Sequence, residues 1–69
     1  MRAEYIGSIP RGGFQKGKQY YIHSNIQTVS IPFANIYKPV MCICICDDNS
    51  TNWWYYKNLE EVLVNWKFN

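Results

Sequence analysis

The sequence predicts a small all-β domain in which five short strands and one late helical turn form a closed barrel. Three observations favour this fold class. The chain of 69 residues is long enough for a single domain, residues 1–69, and too short for a second. Short runs of β-branched and aromatic residues alternate with turn-forming residues. The single stretch with helical spacing is too short to cover a sheet.

Aromatic side chains provide most of the predicted core. Ordering a chain of this length costs on the order of 100 kcal/mol of conformational entropy. Three Trp, six Tyr and three Phe offset that cost, because each large ring buries roughly 150–250 Å². A composition with 48% hydrophobic and 17% charged residues excludes a disordered tail, and the length excludes an enzyme with its own cofactor domain.

The amino-terminal part predicts two strands separated by a long loop. Residues 4–6 are expected to form the first short strand, and Gly and Pro make residues 7–18 a loop with turns. Residues 16–18 form the turn before the second strand. That strand covers residues 19–24, because its side chains alternate with a period of two.

The middle of the chain predicts less regular structure. Ser24 and Asn25 favour a bend, after which the stretch 29–33 alternates as a strand does. Pro32 cannot donate a ladder hydrogen bond, which confines this piece to a sheet edge or a strand end. The stretch 32–39 is bracketed by prolines and is predicted to be an apolar loop.

A hairpin and a helical turn complete the predicted fold. Residues 40–46 form the clearest strand, apolar on both faces and therefore central, and the polar run 47–52 forms a turn before the partner strand 53–56. Asn58 then predicts a helix N-cap. Residues 67–69 form the last strand. The helical stripe consists of Leu59, Val62, Leu63 and Trp66, with Glu61 as the capping-box acid.

Four segments resemble a group of small phage and prophage proteins of SH3-like barrel type. They are residues 5–7 (YIG), 13–22 (GFQKGKQYYI), 53–56 (WWYY) and 58–66 (NLEEVLVNW), which together cover about half of the chain. The resemblance implies a five-stranded SH3-like barrel with one helical turn near the carboxyl end. Some small phage proteins of this size inhibit host or defence factors, so it also implies a role in host–virus interaction.

The chain differs from the eukaryotic SH3 domains that bind peptides. Its Trp53-Trp54 pair is similar to theirs, but the acidic loop opposite that pair and the Pro-Ser-Asn-Tyr segment are missing. Binding of proline-rich peptides is therefore not expected.

Three cysteines lie on one face of the predicted central strand. Cys42, Cys44 and Cys46 are two residues apart, so neighbouring Cα atoms on that face lie about 6.6 Å from each other, which is poor disulfide geometry. A tetrahedral zinc site needs four ligands, and His23 is the one imidazole in the chain. We expect these cysteines to pack as small hydrophobic residues in a reduced, cytoplasmic protein, without metal or cofactor.

The aromatic strand predicts a binding surface. Alternation sends Trp53 and Tyr55 to one face and Trp54 and Tyr56 to the other, and a small barrel has only one core face. We expect the first pair to be exposed and to anchor a partner, because exposed Trp and Tyr dominate interfaces. A covering loop is the simpler alternative. The predicted partner-binding residues are Trp53, Tyr55, Tyr37 and Phe33.

A basic loop offers an alternative function. Cations interleaved with aromatic rings suit nucleic acid, since rings stack on bases and cations follow phosphates. The formal net charge of +2 is small, so ordinary solvated loop charges explain the same pattern. The residues of this alternative are Arg11, Lys16, Lys18 and Tyr21.

The remaining sequence signals argue against certain classes of protein and identify no function. One His and no paired acid and base argue against an enzyme. The sequence shows no signal peptide, and no apolar run is long enough to span a membrane. We therefore expect a small phage or mobile-element protein that docks on a host protein in the cytoplasm. A homodimer, or an oligomer that holds a small ligand between subunits, is a further alternative.

Overall fold

The fold is a single antiparallel sheet with one short helix. The strands are β1 (Arg2–Tyr5), β2 (Gln19–Phe33), β3 (Ile36–Asp47), β4 (Trp53–Tyr56) and β5 (Trp66–Phe68), and helix α1 (Leu59–Asn65) joins β4 to β5. The five strands are arranged in the order β4-β3-β2-β1-β5. This computed structural model describes residues 1–33 and 36–69, with side chains described outside 31–38. The predicted all-β class is confirmed.

Strands β2 and β3 form one long hairpin. Their register runs one-to-one without a bulge, from Ile22 opposite Asp47 to Phe33 opposite Ile36. The predicted bend at residues 24–25 is wrong, because the chain continues there as a strand paired with β3. The predicted loop 32–39 is also wrong for its described residues, which belong to the ends of the two strands, while residues 34–35 lie outside the described ranges.

The far half of this hairpin has no neighbouring strand. β1 pairs with residues 19–21 of β2, and β4 pairs with residues 43–46 of β3. Residues 27–33 and 36–42 therefore form a two-stranded ribbon, called here the hairpin arm. The molecule measures 38 × 22 × 20 Å as a result. Near the base of the arm, Ile26 is 68% exposed and Met41 is 67% exposed.

The core is an aromatic cluster at the other end of the molecule. Trp66 meets Phe14 edge-to-face at 4.8 Å between ring centroids, and Tyr5 at 5.1 Å. Tyr20 packs against the same two rings, Phe14 and Trp66, at 4.9 Å and 5.9 Å. Edge-to-face pairs of this kind stabilise beyond the apolar area that they bury. The buried core residues are Ala3, Tyr5, Phe14, Ile22, Ile45, Tyr56, Val62 and Trp66.

Helix α1 begins where the sequence predicted. Asn58 Oδ1 accepts a hydrogen bond from the Glu61 backbone N–H at 2.9 Å, and the Glu61 carboxylate accepts one from the Lys57 N–H at 3.2 Å, so the cap is confirmed. The predicted stripe is only half right, because Leu59 and Leu63 are exposed. The helix is turned so that Val62 points inward, flanked by the half-buried Glu61 and by Asn65 one turn later.

The long loop between β1 and β2 packs closely against the start of β4 at two glycines. Gly12 and Gly13 both have positive φ, at 61° and 94°. A methyl group on Gly12 would lie within 2.7 Å of the Trp53 carbonyl carbon, and one on Gly13 would overlap the side-chain amide of Asn52. These glycines therefore allow close packing of loop and strand.

The turn between β3 and β4 is organised by one buried carboxylate. Asp47 accepts hydrogen bonds from the backbone N–H groups of Thr51 at 2.7 Å and Asn52 at 3.1 Å. The Asn52 side chain donates a third at 2.9 Å. A turn-initiating Asp commonly caps backbone donors in this way, and the predicted turn is confirmed.

Candidate binding surface

Strand β4 presents different side chains to the two faces of the sheet. Tyr56 is buried in the core and Trp54 packs against that core, whereas Trp53 on the opposite face is 48% exposed. Tyr55, also on the opposite face, is partly buried. The alternation predicted from the sequence is thus confirmed, with Trp53 and Tyr55 as the outward pair.

The outward pair is held in place by polar contacts across the sheet. Trp53 and Tyr55 meet edge-to-face, with ring centroids 5.2 Å apart. The Tyr55 hydroxyl donates to Gln27 Oε1 at 3.1 Å, and Gln27 Nε2 donates to Asn25 Oδ1 at 2.8 Å. These four side chains (Trp53, Tyr55, Gln27 and Asn25) form what we call the outer aromatic patch.

The patch covers two of the three cysteines. Cys44 lies between Asn25 and Tyr55 in the sheet, and Cys42 lies opposite Gln27. The hydrogen bond from Tyr55 to Gln27 crosses β3 above them, and their exposed fractions are 5% and 3%. The cysteines are thus buried, but on the face opposite the aromatic core. Burial raises the pKa of the Cys44 thiol, and the neighbouring Cys46 raises it further.

The patch carries no formal charge. The nearest ionisable pair on its side is His23 and Asp48, whose Nδ1 and Oδ1 atoms lie 3.2 Å apart. His23 shares a row of the sheet with Cys46 and Trp53, so this pair borders the exposed indole. A partner therefore meets aromatic rings and amides first, with the His23–Asp48 contact at the edge.

Two of the predicted partner-binding residues lie far from this patch. Phe33 and Tyr37 belong to the far end of the hairpin arm, and their side chains are outside the described set. Phe33 is six residues beyond Gln27, the nearest member of the patch on β2, which corresponds to about 20 Å of strand. The expected grouping of these two residues with Trp53 and Tyr55 came from placing a loop where the chain forms strands.

Sequence reasoning missed Gln27 and Asn25. Gln27 and Tyr55 are 28 residues apart in the chain, and only the β2–β3 register brings them together. No local pattern in the sequence indicates that pairing, because the residues around Asn25 have the composition of a turn.

The residues of the nucleic-acid alternative contact different parts of the structure. The Arg11 guanidinium lies 5.3 Å from the centre of the Trp54 ring, on the β4 side of the molecule. Lys16 and Lys18 flank Gly17, whose N–H donates to the Tyr5 carbonyl of β1 at 2.9 Å. Tyr21 is exposed on β2, opposite Arg2 of β1. Arg11 therefore lies beside β4, whereas Gly17 and Tyr21 contact β1.

Within residues 1–33 and 36–69, no group of three His, Cys, Asp or Glu side chains is arranged to hold a metal ion. No helix in the same ranges is long and apolar enough to cross a membrane.

Comparison with models of protein families, with curated proteins and with solved structures found no match.

Proposed function

We propose that this protein is an SH3-like barrel that binds another protein through the outer aromatic patch. The strand order supports the fold, because β1 pairs antiparallel with both β2 and β5 while β4 and β5 are joined by a helical turn. That connectivity is the one implied by the resemblance to small phage proteins. The same resemblance makes a host protein in the cytoplasm the partner of this proposal.

The single observation that carries the function is the ordered state of the exposed rings. Trp53 is half-exposed, yet it packs edge-to-face on Tyr55, which is itself tied to Gln27. Side chains that are already fixed lose less entropy on binding, and Trp and Tyr are the residues that most often dominate interface energies. The lack of formal charge in the patch favours an apolar partner surface that offers hydrogen-bonding groups at its rim.

Comparative affinity capture from a host lysate tests the proposal. Trp53→Ser removes the exposed ring, and Leu63→Ser is the matched control, because Leu63 is an exposed apolar residue on α1 outside the patch. A protein retained by the wild type and by Leu63→Ser, but lost with Trp53→Ser, supports the proposal. Retention should survive nuclease and raised salt, since apolar anchoring is much less salt-dependent than phosphate contacts.

Two results would contradict it. Equal capture by Trp53→Ser and the wild type would show that the patch is not the binding surface. Capture that disappears with nuclease, or with Lys16→Gln and Lys18→Gln, would transfer the function to nucleic acid and the basic loop.

A further inference from the structure

A recess with polar walls lies on the other side of β4 from the outer aromatic patch. Its volume is about 230 Å³, and it is bounded by the loop after β1, by β4 and by α1. This volume is smaller than the roughly 300–1,000 Å³ of pockets that take drug-sized ligands. The lining residues are Ser8, Ile9, Arg11, Trp54, Tyr56, Glu61 and Asn65.

Arg11 brings a cation to this recess with its hydrogen-bond donors free. The guanidinium lies over the Trp54 ring, with its central carbon 5.3 Å from the ring centroid, which is within the range of a cation–π contact. No side chain or carbonyl among the described residues accepts a hydrogen bond from it. The planar fork of N–H groups at its edge matches a carboxylate, which it can bind with two parallel hydrogen bonds.

Glu61 brings an anion to the same recess. One carboxylate oxygen, Oε2, accepts from the Lys57 N–H at 3.2 Å, and within the described part of the chain Oε1 has no donor. Glu61 and Arg11 form no salt bridge with each other, since the one contact of that kind among the described residues joins His23 and Asp48. The recess therefore holds two opposite charges that do not neutralise each other by contact.

Tyr56 adds a hydroxyl whose proton is free. Its oxygen accepts a hydrogen bond from Trp66 Nε1 at 3.0 Å, and no described residue accepts the Tyr56 proton. Burial raises the pKa of Tyr56 to about 12, the Trp66 hydrogen bond lowers it, and Glu61 raises it. The hydroxyl is thus a neutral donor at physiological pH.

Hydrogen bonds within the protein hold the walls of the recess in place. The Tyr5 hydroxyl donates to the Ile9 carbonyl at 2.6 Å and holds the loop, while Asn65 Nδ2 donates to the Glu61 carbonyl at 2.7 Å and holds the helix end. Gly7 packs against both the Tyr5 hydroxyl and Asn65 Oδ1, leaving no room there for a side chain. A recess whose walls are already ordered loses little conformational entropy when a ligand binds.

We propose that this recess binds a small zwitterion of the α-amino-acid class. Arg11 and the Tyr56 hydroxyl bind the carboxylate, and Glu61 binds the ammonium group. The volume of about 230 Å³ admits one small amino acid. This site is independent of the outer aromatic patch, because the two lie on opposite faces of β4.

Titration of the full chain, followed by NMR, tests this ligand class. The probes are glycine, L-alanine and L-serine, with acetate and methylamine as ligands that carry one charge each. The indole N–H signals of Trp54 and Trp66 report on the recess. We expect saturable shifts with the amino acids and at least about tenfold weaker binding of acetate or methylamine, since each loses one charge-assisted contact.

Charge-neutral variants test the assigned residues. Arg11→Gln should weaken amino-acid and acetate binding about tenfold or more, and Glu61→Gln should do the same for amino acids and methylamine. Lys16→Gln and Glu60→Gln are the matched controls, because each removes the same charge outside the recess, and both should bind as the wild type does. The proposal is overturned if no amino acid gives a saturable shift, if acetate binds as tightly as glycine, or if both recess variants keep wild-type affinity.

Discussion

Trp66 Nε1 donates a hydrogen bond to the Tyr56 hydroxyl across 3.0 Å in the core. The bond links the first residue of β5 to the last residue of β4, the two edge strands of the sheet. It satisfies the indole N–H in an apolar environment, where an unpaired donor is costly. It also leaves a buried hydroxyl whose ionisation the fold opposes.

Alkaline pH should therefore destabilise the protein through Tyr56. Burial raises its pKa to about 12, compared with about 10 in an unfolded chain. Below pH 10 both states keep the proton, whereas above it the unfolded state loses the proton first. The free energy of unfolding should thus fall as the pH rises from about 10 to about 12. Urea unfolding at several pH values measures this.

Tyr56→Phe provides the control for that experiment. The variant should be less stable at pH 7, because the Trp66 N–H loses its acceptor, at a cost of about 1–3 kcal/mol. Between pH 10 and 12 its stability should fall less steeply than that of the wild type. Parallel curves for the two proteins would contradict the assignment to Tyr56.

The loop glycines give a prediction with an internal control. Gly12→Ala should be strongly destabilising, because the new methyl group would overlap the Trp53 carbonyl and φ is 61°. At Gly17 the φ is 87° and nothing lies within 4 Å, so Gly17→Ala should cost only the backbone strain, about 1–2 kcal/mol. Thermal unfolding should rank Gly12→Ala well below Gly17→Ala. Equal midpoints would show that the loop does not pack closely on β4.

The helix cap predicts a smaller effect. Asn58→Ala removes the acceptor of the Glu61 N–H and should lower the free energy of unfolding by about 1 kcal/mol. Glu60→Gln keeps the cap and should change stability by less than about 0.5 kcal/mol, as exposed substitutions usually do. Denaturant unfolding of both variants measures the difference. A loss no larger for Asn58→Ala than for Glu60→Gln would show that the cap does not stabilise α1.

The cysteines should differ in reactivity. Cys46 is partly exposed, while Cys42 and Cys44 lie beneath Tyr55 and Gln27, and burial raises the pKa of Cys44. A thiol reagent at pH 8 should modify Cys46 first, because the thiolate is the reactive form. Tyr55→Ala should speed modification of Cys42 and Cys44, as followed by peptide mass spectrometry, and Leu63→Ala should not. Simultaneous modification of all three cysteines in the wild type would show that Tyr55 and Gln27 do not shield Cys42 and Cys44.

Local signals account for what the sequence could predict. The cap at Asn58, the turn after Asp47 and the alternation of Trp53 and Tyr55 each depend on residues within five positions of each other. These patterns are set by backbone geometry and short-range hydrogen bonds, so they can be read without the fold.

Long-range strand pairing determines the parts of the fold and of the site that the sequence did not predict. Residues 24–25, 32–33 and 36–39 carry turn-forming residues, yet the pairing between β2 and β3 draws them into strands, because strand preference depends strongly on context. The contact between Tyr55 and Gln27 and the recess around Tyr56 follow from that pairing and from the rotation of α1. Neither leaves a signature in the local sequence.

Pro39 in the hairpin arm lies at a position where it blocks pairing at an open sheet edge. The Asp47 N–H donates to the Asn52 carbonyl at 2.9 Å, on the β4 side of β3. Backbone direction alternates along a strand and the register has no bulge, so the N–H at position 39 would also point to that open edge. Pro39 therefore costs the hairpin no hydrogen bond and removes one donor from an edge that could template another chain.

Pro39→Thr should restore that donor and promote edge-to-edge association. Ser30→Thr is the matched control, because Ser30 lies opposite Pro39 and the substitution raises strand preference without adding an N–H group. Sedimentation and light scattering over a range of concentrations should show Pro39→Thr associating at concentrations where Ser30→Thr and the wild type do not. Equal behaviour of the two variants would show that Pro39 does not protect the edge.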